Sequence, residues 1–558
     1  MDFRLYEKTL KRYLKRKKSV TISLIVCFLI TGGIEGTEEI ALARDLRSRG
    51  IEANSIRVTG ETTLNNSANG IDVINIVTPD KHGISHNKFT DLSVGAGNGL
   101  IFNNSTEHGI SKIGGYVTKN SNLKNNASVI LNEVMGNRAS NINGSIEIFG
   151  KKADFILANE NGINVNGATF INTNGITLTT GSVLKDSSGI NFDVQKGNIF
   201  LNGVGTSGNY FNVLAKTIEI HNEISPINGE EKPDITLISG QNKIELKKGD
   251  FSNPIIKSSS DSKQDKYGIY ATELGAMYGR NIRLISNGQG LGVKHEGAIF
   301  SEKDIVIESN GDISVATLNS RRDIKIKGNN FETKEGVVKV ANKEQINSIS
   351  SKNNISLDLK GDVRLRSAVQ STNGNIVITA RGLTLQDKSS ARLISTNSIT
   401  IKLSERLDVQ GVLIPTISGV DSENLAITSN PDGSLQVKDI NTGKIYSSDQ
   451  ITWQSTGIFG KDVEIFVKEL TNKGIVSAEN KLTITAENLL NEKDALLRAR
   501  NFELGVGYSF VNKGEIRVDR GTLNEVVDPN GKLKIEVLKG KFENYGNISA
   551  KDITITAQ

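Results

Sequence analysis

The sequence predicts an all-β protein: a right-handed parallel β-helix, or β-solenoid, with an N-terminal cap and extra-helical strand excursions. Three observations carry that expectation. First, short apolar alternations such as Ser145-Ile146-Glu147-Ile148-Phe149 and Asp154-Phe155-Ile156-Leu157-Ala158 are separated by Asn-Gly pairs at positions 143, 161, 166 and 174. Period-two alternation reads as strand, and Asn and Gly accept positive φ cheaply, so each pair marks a corner. Strands this short satisfy their backbone groups best by stacking turn upon turn. Second, the chain has 558 residues but only 37% hydrophobic and 5% aromatic content, with 55 Gly and 7 Pro. A narrow interior of Ile, Val and Leu tolerates that composition better than a globular enzyme core does. Third, a short phrase recurs through the second half of the chain at the length of one solenoid turn.

In chain order, the N-terminus reads as an export signal. Lys11, Arg12, Lys15, Arg16, Lys17 and Lys18 precede an apolar run from Val20 to Thr31, and Ala41-Leu42-Ala43 offers a cleavage site before Arg44. The run is shorter than the roughly 20 residues of a membrane-spanning helix. Residues 1–43 are therefore expected to be a signal peptide. They also hold most of the +5 formal charge: without them the chain carries 59 basic and 57 acidic residues. Such a near-neutral body gives no electrostatic reason to bind nucleic acid. Cys27, the single cysteine, lies inside this segment, so the exported chain is expected to have no disulfide and no cysteine metal site.

From Gly70 onward a cap is expected, because a first solenoid turn otherwise exposes a sheet edge and the apolar interior. The stretch from Ser128 to Gly181 follows with its dense Asn-Gly corners. Here the chain resembles the haemagglutination-activity, or two-partner-secretion, domain of filamentous-haemagglutinin-type exoproteins. The residues that carry the resemblance are Asn120-Ser121-Asn122-Leu123, Ile130-Leu131-Asn132-Glu133-Val134 and Asn159-Glu160-Asn161-Gly162-Ile163. The family has Pro where Ser121 and Glu160 stand; its loss frees φ but keeps the Asn side chains and the Gly corner. Gly83 to Phe89 and Gly99 to Ser105 are similar to the opening turns of the same domain. Lys216 to Ile220, Ser239 to Lys243 and Leu274 to Gly279 are similar to its end. The resemblance implies a secretion domain over 44–286 and filamentous-haemagglutinin-like repeats over 287–558.

The repeats take the form of a corner Asn, Asp or Lys, an apolar residue, any residue, and another apolar residue. They begin at Asn281, Asp304, Asp323, Asn354 and Asn375, then at Asp462, Lys481, Asn501, Lys532 and Asp552. The period is about 20 residues with occasional inserts of about ten. At ~4.8 Å per rung the exported residues predict about 25 rungs and a rod on the order of 120 Å. Residues 412–457, with Pro415, Asn430-Pro431-Asp432-Gly433 and Trp453, break the rhythm and read as an insert of extra strands. Asp552 to Gln558 stands in mid-rhythm, so the sequence reads as the front of a longer protein or as one whose last rung is covered from outside.

Catalytic chemistry is sought without result. His82 and His86 share an i, i+4 spacing, but Gly83 and the strand pattern argue against a helical metal face. His108, His221 and His295 stand alone and read as solvated. Lys248-Gly249-Asp250 reads as a turn. A β-helix polysaccharide lyase needs acids and bases converging on one exterior face, whereas acids here, such as Asp304 and Asp323, fall at corners. The expectation is therefore no enzyme, no cofactor and no metal. The resemblance implies a secreted or cell-surface adhesin, exported across both membranes. Its partners are expected to be a cognate outer-membrane transporter with periplasmic recognition domains and a host-cell protein or glycan receptor. The residues implied in transporter recognition are Asn120, Asn122, Leu123, Asn159, Asn161, Gly162 and Ile163. The alternative is the front part of a cytolysin or contact-dependent toxin.

Overall fold

The computed structural model describes residues 52–557 apart from 186–188, 261–262, 265–266, 341–342, 387–390, 412, 418–419, 421–424, 430–434, 447–451 and 520–526. The signal-peptide reading, Cys27 and Asn430 to Gly433 lie outside the described residues. Every regular element among the described residues is a strand. The chain divides into two units, one holding residues up to Leu214 with Pro226–Glu231 and Glu245–Ile255, the other Ala215–Ser225, Lys232–Ile244 and Ile256 onward.

In the first unit the strands stack in parallel. Ile84–Ser93 pairs with Val129–Val134, that strand with Ala153–Asn159, and that in turn with Thr173–Thr179. A second wall runs through Asp72–Asn75, Gly99–Asn104 and Ser145–Gly150. A third runs through Ser140–Ile142, Ile163–Ile171 and Asn198–Thr206. Parallel pairing between successive short strands, with a corner between walls, is the solenoid that the Asn-Gly spacing predicts. A cap is present but starts before Gly70, the point from which the sequence predicts it: Ser55–Thr59 and Thr63–Asn66 lie antiparallel on Ile84–Ser93 and Asp72–Asn75 and cover the first edges.

The second unit shows why the repeated phrase repeats. Its first apolar residue stacks in register as Ile282, Ile305, Ile324, Ile355, Ile376, Ile399, Val463, Leu482, Phe502 and Leu533. None of these is more than 3% exposed. Each buried aliphatic stabilises the stack by about 1.5–3 kcal/mol. The intervening residue, such as Lys325 or Val377, points to solvent.

Corners are held by side chains that bridge rungs. Asp304 Oδ1 accepts the Asp323 N–H at 3.1 Å, and Asp323 Oδ1 accepts the Asn354 N–H at 3.0 Å. Asn354 Oδ1 accepts the Asn375 N–H at 3.0 Å, and Asn375 Oδ1 accepts both the N–H and the hydroxyl of Ser398 at 3.2 and 2.8 Å. A corner N–H that the next strand leaves unpaired needs a short acceptor, which is what Asp and Asn offer. Farther along, buried Asn472, Asn491 and Asn512 and the exposed Asn544 form an amide ladder, each Nδ2 donating to the next Oδ1 at 2.7–2.8 Å.

The structure adds one rung to the repeat, keeps the insert as the excursion of extra strands that the sequence predicts, and corrects one expectation. The phrase also occurs at Ser398-Ile399-Thr400-Ile401, and Ser398–Val409 pairs directly with Gly457–Asn472. The stack is thus continuous, and the extra strands loop out of one rung: Leu413–Thr416 pairs antiparallel with Thr452–Ser455, and Leu425–Ser429, Leu435–Asp439 and Ile445–Tyr446 form a small antiparallel sheet. The 31-residue spacing from Asp323 to Asn354 similarly contains the hairpin Val337–Val340 with Lys343–Ile346. The correction is His295, which is not solvated but wholly buried. It stands in register between Ala271 and Val315, at an inward position of its strand. Burial pulls its pKa down to about 4, against the opposing pull of the Gly297 and Gly275 backbone.

Candidate functional site

The two Asn-x-Asn segments fold into the same small device. In the first, Asn120 Oδ1 accepts the Asn122 N–H at 2.9 Å and the Asn120 carbonyl accepts the Leu123 N–H at 3.2 Å. In the second, Asn159 Oδ1 accepts the Asn161 N–H at 2.9 Å and the Asn159 carbonyl accepts the Gly162 N–H at 3.1 Å. Each is an Asx turn laid over a four-residue β-turn, the conformation Asn favours by bonding its own backbone two residues on.

The first Asn of each turn also ties the corner to neighbouring rungs. Asn120 Nδ2 donates to the carbonyls of Ile76 and Asn103 at 2.9 and 3.0 Å. Asn159 Nδ2 donates to the Arg138 carbonyl and the Ser140 hydroxyl at 2.9 and 3.0 Å. Both residues are 1% exposed. The second Asn sits farther out: Asn122 is half-buried with its amide on the Ile76 carbonyl at 3.3 Å, and Asn161 is exposed with its amide on the Gly136 carbonyl at 2.7 Å. Leu123 and Ile163 close each device by entering the core. Gly162 has φ +117°, a conformation L side chains rarely adopt, so only Gly suits that corner. The two turns dock on different rungs, and among the described residues no hydrogen bond joins them.

The middle segment lies in strand Val129–Val134, between the strands that carry His86 and Ile156. Asn132 is buried and donates to the Ile156 carbonyl at 3.1 Å, while Glu133 meets His86 Nε2 at 2.8 Å. The chemistry of the whole site is hydrogen bonding between amides and backbone. Elsewhere, Asp304 and Asp323, which a lyase would need free on an exterior face, direct carboxylate oxygens to corner N–H groups.

Sequence reasoning passed over one further feature. A cleft of roughly 430 Å³ in the first unit is lined by His82, Asp154, Asn174, Tyr210, Lys248 and Asp250 among others. Lys248 and His82, 166 positions apart, meet there with Nζ donating to Nδ1 at 2.9 Å. Asn174 donates to Asp154 Oδ1 at 2.7 Å and accepts from Asn209 at 3.1 Å. Burial raises the Asp154 pKa, and burial followed by the Asp154 charge holds the Tyr210 hydroxyl well above its ordinary value. Asn174-Gly175 marks the spot in the sequence: a Cβ on Gly175 would stand 2.0 Å from the Tyr210 ring, so that Gly seats the ring.

Residues 50–315 match the family model for the TPS secretion domain. Over 273 residues the chain is 37% identical to the filamentous hemagglutinin of Bordetella pertussis, covering 48% of this chain and 8% of that protein. Over 559 residues it is 28% identical to a 16S rRNA endonuclease CdiA of Enterobacter cloacae, covering 90% of this chain and 16% of the relative. The chain thus spans less than a fifth of the length of these relatives. Among solved structures, the filamentous hemagglutinin secretion domain is 34% identical, with a TM-score of 0.45, covering 49% of this chain and 93% of that one.

Proposed function

Because this chain is a two-partner-secretion exoprotein of the filamentous haemagglutinin type, secreted across the outer membrane to the cell surface, we propose that its Asn-x-Asn turns are the label its outer-membrane transporter reads. The exported chain then acts as an adhesin for a host-cell protein or glycan.

The observation that carries the reading is the difference in exposure within each turn. Asn120 and Asn159 are buried in the folded domain, while Asn122 and Asn161 remain partly or fully open. A transporter that contacts all four must meet the chain while it is extended. Periplasmic recognition domains do so by strand augmentation, pairing the unpaired backbone of the emerging chain with a sheet edge. Once outside, the same amides turn inward and bond the neighbouring rung. Folding thereby withdraws the label and disfavours return. Leu123, Gly162 and Ile163 set the spacing and close the turn. On this reading the label lies within 44–286, the repeats of 287–558 provide reach, and the insert at 412–457 displays loops on a rigid stack.

The test is export from a bacterial host carrying the transporter, compared for wild type and for Asn122→Ala with Asn161→Ala, with the folded state of the product measured separately. Reduced export of a chain that still folds supports the label; normal export of the double variant removes it. Adhesion is tested by binding of the purified exported chain to cultured host cells, where no saturable binding contradicts the adhesin reading.

The similarity to a 16S rRNA endonuclease over 90% of this chain favours a second reading. Here the β-helix is the export and presentation stalk of a contact-dependent toxin whose activity resides in other regions. The genomic sequence past residue 558 separates the two.

A further inference from the structure

We propose that the cleft between the His82 turn, the Asp154 and Asn174 corners and the Lys248–Ser252 segment is a binding site for one or two units of a neutral, hydroxyl-rich sugar. The site lies in the first unit, within the secretion domain, and stands or falls independently of where adhesion resides.

The lining groups decide what the cleft can and cannot accept. Lys248 donates to His82 Nδ1, which places the ring N–H on Nε2 and leaves that N–H and two ammonium N–H groups as donors at the rim. Asp250 Oδ1 takes the Ser252 hydroxyl at 2.5 Å, and its second carboxylate oxygen is an acceptor. Asp154 is fixed through Oδ1 by Asn174, itself fixed by Asn209. Tyr210 is 3% exposed, and its hydroxyl lies beside the Asp154 carboxylate and the Thr177 hydroxyl. Donors and acceptors therefore face one cleft together.

An anionic ligand would meet the Asp154 and Asp250 carboxylates, and a cationic one would meet the Lys248 ammonium. Only groups that both donate and accept, without charge, satisfy the set, and vicinal hydroxyls are that chemistry. A cleft of roughly 430 Å³ holds a ligand of this size. The raised pKa of Asp154 says that its burial is not fully offset by the donors it has; a sugar hydroxyl supplies another. The seating of Tyr210 on Gly175 pre-positions the deepest polar group.

The experiment uses the purified exported chain and saturation-transfer NMR with the methyl glycosides of galactose, glucose, mannose and N-acetylglucosamine, followed by titration of those that bind. The expected result is saturable binding of at least one glycoside, weakened about tenfold by Tyr210→Phe and by Asp154→Asn, each a loss of one charge-linked or buried hydrogen bond. Asp250→Ala, at the rim, provides a third variant should Asp154→Asn fail to fold. Absence of binding by all four glycosides overturns the proposal. Binding that is unchanged in the folded variants overturns it too, as does displacement of the glycoside by methylguanidinium or by sialic acid, which would assign the cleft to a charged ligand.

Discussion

Replacing Asn159 by Ala removes the hub of the second turn, and the structure allows the cost to be worked out. Three short bonds disappear, donated to the Arg138 carbonyl at 2.9 Å and the Ser140 hydroxyl at 3.0 Å and accepted from the Asn161 N–H at 2.9 Å, and with them a longer, weak one accepted from the Asn161 amide at 3.3 Å. At about 1 kcal/mol net for each short bond, the local structure loses about 3 kcal/mol. Asn161→Ala removes two bonds from an exposed amide, to the Gly136 carbonyl at 2.7 Å and a longer one to Asn159 Oδ1 at 3.3 Å, and costs about 0.5–1 kcal/mol. A stacked-rung protein opens locally, so a global unfolding curve is the wrong assay. Hydrogen–deuterium exchange of the full chain, followed in peptides covering 136–165, reads the local equilibrium. Asn159→Ala should accelerate exchange there on the order of a hundredfold, and Asn161→Ala only severalfold. Equal acceleration by the two variants, or none for Asn159→Ala, would refute the claim that the buried Asn holds the corner and the outer Asn mainly decorates it.

Ser121→Pro and Glu160→Pro, which restore the ring the family has, should be neutral or stabilising by about 0.4–1 kcal/mol, because position i+1 of such a turn welcomes Pro. Both residues are exposed and neither N–H donates within the described bonds; slower local exchange checks this. Asn491→Ala should break the amide ladder at two bonds, to Asn512 and from Asn472, and lower local stability around 470–515 by about 2 kcal/mol; exchange in that segment reads it. His295 binds its proton less well folded, at about 4, than unfolded near 6.5. The unfolded state therefore takes up more protons between those values, and stability falls by about 3 kcal/mol as pH drops from about 6.5 to 4. His295→Leu should flatten that window in pH-dependent unfolding. Glu296 acts in a lower window: burial opposes its charge, but hydrogen bonds from Lys334, Lys294 and Tyr270 hold its pKa near about 2, so its contribution is lost only below about 4.5.

The fold was legible because a solenoid writes its geometry into a one-dimensional repeat. Residues such as Ile305, Ile324 and Ile355 recur in the sequence because they stack in space. The rung at Ile399 escaped notice because its corner is Ser398, whose hydroxyl and N–H both turn to Asn375, in place of an Asn or Asp reaching forward. His295 looks solvated by residue type alone, but its alternation with Val293 places it inward. The turns at Asn120 and Asn159 were visible as motifs, yet their burial and the bonds to Ile76, Asn103 and Arg138 depend on rungs 17 to 44 residues away. The cleft is invisible for the same reason: His82, paired in sequence with His86, and Lys248, in a turn, look unrelated until the fold brings them to 2.9 Å.

The central claim is that Asn120 and Asn159 serve twice, read by the transporter in the extended chain and buried by the fold thereafter. Titration of the transporter's periplasmic domains against the secretion domain, held unfolded in mild denaturant and then allowed to fold, measures this directly. The account predicts saturable binding of the unfolded chain that Asn120→Ala with Asn159→Ala weakens and that folding abolishes. Equal or tighter binding to the folded domain would contradict it.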